Sequence, residues 1–376
     1  MTTFLLDARG LSPSSDDGSG RVVRALVRHL PHALAPDERL VVLAPATTCD
    51  LLSAETTAPR LAFLPCEIRT ASLEQHASMP RVVAAIAPEV WLYPQYDLPP
   101  VPRGTAAVAI VHDLTPVFEA GYFGPRRGLR QIAAGALVAS TCARAAVVVT
   151  DATAIRSELC RLFPRYAGRM DVIPPGPSYL PSPRPTPRER DRFVYVGNHR
   201  PHKRVPLLLQ AFAIARRRRP SLRLVLAGRS DPRFPEVPRL LQGALGDGVT
   251  LLEGPTDLEV ATALASSRAL VFPSVGEGFG FPVVEALSVG TPCIVADAGS
   301  LPEVTGPAGL VIARDDVRAL ADALVRLAED DTLWQRLATE AAPTLARYSW
   351  ERYADAMLAT MRAAARSLDE EGRGRR

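Results

Sequence analysis

The chain has 376 residues, 47% of them hydrophobic, and a net charge of +4 at neutral pH. That length supports two domains with sizeable cores, and so mild a charge suits an acidic small ligand without calling for nucleic acid. No apolar stretch is long enough to span a bilayer, and the run from Thr3 to Ala8 is too short for a signal peptide. The five cysteines (Cys49, Cys66, Cys142, Cys160, Cys293) lack C-x-x-C spacing, so neither a zinc site nor a disulfide frame is suggested. A reduced, cytoplasmic setting is the simplest expectation.

Apolar runs of strand length alternate with helical patterns from start to finish, the pattern of parallel βαβ units buried on both sheet faces. In the first half the runs predict strands at 3–8, 40–44, 90–93, 106–111 and 146–150, with helices over 21–34, 73–87 and 129–144. The first strand leads into a loop whose Gly18, Gly20 and Arg21 precede a helix. Such a loop can hold a phosphate at the helix N-terminus, and it is equally an ordinary βα connection. His112 and Asp113 follow the strand at 106–111 at its C-terminal end, where open α/β sheets place their ligands. That makes His112 a candidate site residue. Residues 118–130 mix Phe118 with Arg126, Arg127 and Arg130, which fits a solvated helix start or, at most, a peripheral contact with an acceptor or an anionic lipid.

Proline density across 173–187 excludes a central strand or a helix interior and marks a semi-rigid connection, placed at 175–192. The second half, 193–347, opens with a strand ending at Gly197. A basic loop containing Asn198, His202 and Lys203 follows, then a helix through Arg219. Strand, glycine, basic loop and helix form a second candidate anion site, with Lys203 placed to offset developing negative charge; a solvated helix start is the alternative. Strands at 222–227 and 249–252, a helix at 257–266 and a strand at 269–272 lead to Gly276-Glu277-Gly278-Phe279-Gly280. These glycines let the backbone approach a ligand, Pro282 suits the start of a helix, and Gly290 suits its end. Glu277 in the loop and Glu285 about one turn into the helix can face one mouth, and carboxylates accept from sugar and ribose hydroxyls. A strand at 309–312, a helix at 317–329 and a final helix over 348–367 complete the pattern, with a disordered tail expected at 368–376.

The segment from Gly276 to Glu285, continued by Thr291-Pro292 and Ser300-Leu301-Pro302-Glu303, resembles the E-x7-E donor signature of retaining glycosyltransferases of family 4. That resemblance implies an α/β GT-B fold, two Rossmann-like domains facing each other across a cleft, with the C-terminal helix crossing back to the first. Residues 1–174 would then bind the acceptor and 193–347 the nucleotide sugar. It implies a metal-independent, retaining transfer of a hexose from a GDP-mannose-like or UDP-hexose donor to a hydroxyl of a glycan, lipid-linked or small-metabolite acceptor, without a cofactor. By the same resemblance Glu277 contacts the donor sugar, Glu285 the ribose, and His112 lies beside the sugar. Lys203 grips the diphosphate, with Gly18, Gly20, Gly197, Asn198, His202 and the 278–280 backbone completing the donor site. Departures are Asp17 and Val22 in the first loop and His202 where arginine is common. No D-x-D triplet occurs, which agrees with a diphosphate held by amides and cations. Two rivals remain: a nucleotide-sugar epimerase of the same fold, and a non-catalytic nucleotide-sugar-binding protein. A dehydrogenase lacks support, since no G-x-G-x-x-G opens either half.

Overall fold

The computed structural model describes residues 1–11, 18–118, 127–178, 180–243 and 248–373. Asp17, Arg126, most of the 118–130 loop and residues 374–376 lie outside that set. The chain divides into two compact units. The first comprises Met1–His112, Ile132–Gly176 and Tyr348–Arg376, the second Asp113–Gln131 and Pro177–Arg347.

In the first unit seven parallel strands lie in the order β3-β2-β1-β4-β5-β6-β7. They are β1 (Thr2–Asp7), β2 (Glu38–Ala44), β3 (Leu61–Pro65), β4 (Val90–Tyr93), β5 (Ala106–Val111), β6 (Val147–Thr150) and β7 (Met170–Val172). Every residue of β4 and β5 is buried, as strands covered on both faces require. Helices α1 (Gly18–Ala33), α2 (Ala46–Glu55) and α3 (Leu73–Ile86) connect the early strands; α5 (Arg127–Arg144) and α6 (Thr153–Leu162) connect the later ones. The last helix, α15 (Trp350–Arg373), packs along α1 and reaches β4 and β5. It buries Tyr353, Met357, Leu358, Met361 and Ala364 on one stripe. Arg362 grips Glu38 bidentately, Nε to Oε1 at 2.7 Å and Nη2 to Oε2 at 2.6 Å.

The second unit holds six parallel strands in the order β10-β9-β8-β11-β12-β13. These are β8 (Glu189–Val196), β9 (Arg223–Gly228), β10 (Val249–Glu253), β11 (Ser267–Phe272), β12 (Cys293–Ala296) and β13 (Gly309–Ile312). Its helices are α4 (Thr115–Phe118), α7 (Val205–Arg218), α8 (Glu236–Leu241), α9 (Asp257–Ser266), α10 (Phe281–Ser288), α11 (Leu301–Thr305), α12 (Val317–Glu329), α13 (Asp331–Thr339) and α14 (Ala341–Leu345). Local signals set several ends. Thr256 and Glu259 form a reciprocal capping box on α9, and the Asp316 carboxylate accepts from Arg318 N and Ala319 N to start α12. The strand order reverses between β8 and β11, so the crevice outside their C-terminal ends is the place where such a sheet binds ligands.

Three expectations need correcting. The segment expected as a linker ends earlier, because β8 starts at Glu189. Its charged first half hid it, yet Arg188 and Arg190 bind the carbonyls of Ser267 and Ala328 at 2.8 and 2.7 Å. Residues 113–131 group with the second unit rather than the first. The tail is helical through Arg373, since no proline interrupts the run after Ser367.

Candidate functional site

The second unit's site begins where β8 ends. Gly197 has φ +144°, which favours glycine, and the loop after it rests on a buried pillar. Tyr195, stacked on Phe272, donates its hydroxyl to Asn198 O at 2.6 Å. Burial, and then the charge of Glu277, push this phenol far above its ordinary range. A short turn, Pro201–Lys203, follows, with Arg204 in the left-handed region at φ +54°. The His202 carbonyl accepts from Val275 N at 2.9 Å, which ties this turn to the loop after β11.

That tie brings two sequence-predicted residues together. Lys203 Nζ lies 2.5 Å from Glu277 Oε1, with each side chain only 12–13% exposed. Ser274 Oγ reaches the same oxygen at 2.5 Å, so Oε1 carries two donors while Oε2 has no hydrogen bond from a described residue. Lys203 also sits 5.2 Å from the Phe272 ring centroid. It is the single lysine of the sequence; every other member of the Lys-plus-Arg set is arginine. An ammonium carries three donors, so Lys203 can hold Glu277 and still reach a second anion.

The glycine loop is shaped by close approaches. A Cβ on Gly299 (φ +54°) would lie 2.9 Å from Glu277 O, and one on Gly276 would meet Thr115 at 2.9 Å. Ser300 Oγ donates to Phe279 O at 2.9 Å, and the buried Phe279 ring meets Phe281 edge-on at 5.3 Å. Gly280, at φ +93°, caps α10, with Pro282 in the first turn. The positive dipole end of α10 therefore follows directly on the loop. Glu285 lies in α10 and is buried.

His202 is buried, and burial followed by the charge of Lys203 lowers its pKa to about 4. A histidine that stays neutral when folded binds fewer protons than its unfolded form below pH about 6.5. Its contribution to stability is present above that value and is lost as pH falls toward 4. Between pH 7.5 and 5 the second unit should lose about 2 kcal/mol through this group, and a His202→Gln variant should show correspondingly less pH dependence in urea unfolding. An unchanged slope would remove His202 as the source.

In the first unit, α1 starts at Gly18, and Gly20 is buried within its first turn. His112 follows β5, and its Nδ1 meets Asp151 Oδ2 at 2.7 Å. Asp151 was not singled out from the sequence: 39 residues separate the pair, and only the pairing of β5 with β6 reveals it. Tyr195 and Ser274 were missed for the same reason, since each acts through a neighbour supplied by the fold. Among the described residues, no helix is long and apolar enough to cross a membrane.

Two α/β units, each built on a parallel sheet, with the strand reversal of the second at β8 and β11, define the class: the architecture is of GT-B type. The chain belongs to the glycosyl transferases group 1 family, of the GT4 type, and is a glycosyltransferase. The family model matches residues 190–330. The O-antigen chain mannosyltransferase B of Escherichia coli is 30% identical over 275 residues, covering 69% of this chain and 70% of that protein. The MMP alpha-(1->4)-mannosyltransferase of Mycolicibacterium hassiacum is 33% identical over 195 residues, covering 50% of this chain and 47% of that one. Sucrose-phosphate synthase from Thermosynechococcus elongatus matches in structure with a TM-score of 0.76 at 19% identity, over 96% of this chain and 99% of that one.

Proposed function

We propose that the protein transfers a hexose, with mannose the first to test, from a nucleotide-diphosphate sugar to an acceptor hydroxyl, with retention at the anomeric carbon and without a divalent metal. The observation that carries the reading is the Lys203–Glu277–Ser274 cluster at the strand reversal, inside the segment the family model matches. Glu277 Oε2 accepts from hydroxyls of the donor sugar. Lys203, the 278–280 amides and the α10 N-terminus offset the charge that develops on the leaving diphosphate. Glu285 serves the ribose, and the loop from Gly197 through Asn198 and His202 lines the donor site. Gly18 and Gly20 supply amides, and His112 a polar contact to substrate. The leaving phosphate accepts the acceptor's proton, so no protein base is required on the reacting face. The mannosyltransferases among the relatives favour mannose as the sugar and leave the acceptor open.

A thermal-shift titration with UDP, GDP, TDP and ADP tests the donor site. Binding at one hundred times Kd stabilises by about 2.7 kcal/mol, so one nucleotide should raise the melting temperature in a dose-dependent way, and the Lys203→Ala protein should lose that response. Transfer from the matching nucleotide sugar should persist in EDTA. Absence of both a shift and turnover with every nucleotide and nucleotide sugar would overturn the proposal.

A further inference from the structure

We infer that Asp151 is a positioning residue for His112, fixing the orientation of the imidazole and holding a proton on Nδ1 so that Nε2 is the nitrogen left for substrate. This rests on the reading of His112 as a substrate contact. The geometry comes from the sheet itself. Strands β5 and β6 are paired in register with Val111 opposite Thr150, so the next residue on each, His112 and Asp151, leaves the sheet side by side. Nothing in this placement depends on a loop. The contact of 2.7 Å lies in the range of charge-assisted hydrogen bonds.

Burial of the two side chains is asymmetric. The Asp151 side chain is 3% exposed and that of His112 17%, so the carboxylate is the more deeply buried of the two. A carboxylate taken that far from water needs a partner able to carry a proton or positive charge. Among the described residues its Oδ1 has no hydrogen bond, and the buried Tyr353 hydroxyl, brought by α15, has none either. Burial, and then the charge of Asp151, push the Tyr353 phenol far up, so Tyr353 stays neutral. His112 is therefore the one hydrogen-bonded partner of Asp151 among the described residues. A carboxylate behind an imidazole selects the tautomer and holds the ring for work at its other nitrogen.

The test uses Asp151→Asn and His112→Ala, singly and together, in the full chain. Asp151→Asn should lower kcat by roughly 10- to 100-fold, with donor KM moved by much less. In the His112→Ala background the same change should alter kcat less than about twofold, because a residue acting through another has nothing left to position. Independent of turnover, protein labelled with [15N]histidine should show one strongly downfield Nδ1-bound proton. That signal should be absent in His112→Ala and lost or moved upfield in Asp151→Asn. Multiplicative kinetic effects, or a wild-type protein without the downfield signal, would overturn the inference. The wild-type spectrum decides the matter even if Asp151→Asn fails to fold. A wild type that turns over no nucleotide sugar would sink glycosyl transfer as the reaction, while the imidazole signal would still report the pairing.

Discussion

Replacing Lys203 with alanine is expected to lower kcat for glycosyl transfer by roughly 10²- to 10³-fold, the range seen when one preorganised donor to a developing anion is removed. The same change strips Glu277 of its ammonium partner at a site only 12–13% exposed. The carboxylate then keeps Ser274 alone, and the second unit should lose about 3 kcal/mol, since breaking a buried pair leaves an uncompensated charge. Two further variants separate chemistry from folding. Lys203→Ala combined with Glu277→Gln removes the orphan charge, so melting should recover while turnover does not. Lys203→Arg keeps the charge but replaces a compact ammonium with a planar fork. It should recover less than about a tenth of the activity, because Nζ serves Glu277 Oε1 at 2.5 Å while lying over Phe272. A chain that uses arginine at every other basic position yet keeps lysine here is consistent with that demand. The single lysine also provides a direct readout. Protein grown on [15N]lysine carries one labelled ε-ammonium, whose signal should move when the nucleotide binds. Near-normal turnover in Lys203→Ala would remove this residue from the mechanism.

What the sequence revealed follows from how locally each feature is encoded. Helices α9 and α12 have the bounds expected from the residues alone, because their starts carry side-chain caps within the same turn, Thr256 with Glu259 and Asp316. The buried strands β4, β5 and β11 were legible as continuous apolar runs. Strands β3 and β7 were not. The first exposes Ala62 and Leu64 at the sheet edge, and the second has three residues, so neither produces a pattern of its own. At the site, Lys203 and Glu277 were visible through a loop pattern, but their mutual contact was not, because 74 residues lie between them. Ser274, Tyr195 and Asp151 hold the visible residues in place and have no signature beyond the strand ends they occupy. The residues proposed to meet substrate sit in loops with a readable pattern, whereas the groups bonded to them are brought in by strand register.

Gly228→Ala is expected to be the most damaging single-atom change in the second unit. An added Cβ would lie 1.8 Å from Gly197 O and 2.7 Å from Gly197 C. Both are backbone atoms, so no rotamer can relieve the overlap and one strand end must move. Neither is free to do so. Gly197 N donates to Ala227 O at 2.9 Å, Gly254 N donates to Gly228 O at 2.9 Å, and Val196 is paired with Ala227 in the register of β8 and β9. Displacement therefore spreads to the ends of three strands at once. Overpacking against a fixed backbone costs about 3 kcal/mol, which lowers the melting temperature of a unit this size by roughly 6–12 °C. Function should suffer beyond stability, because Gly197 leads into Asn198, whose carbonyl is held by Tyr195, and the proposed donor loop would be pushed off that pillar. Donor KM should rise even at temperatures where the variant is fully folded. Gly243→Ala serves as the control, since its nearest neighbour would be Leu240 O at 3.7 Å; that substitution should stay within about 0.5 kcal/mol. If Gly228→Ala melts and binds donor like Gly243→Ala, the close approach of β8 and β9 is not what holds the donor loop in place.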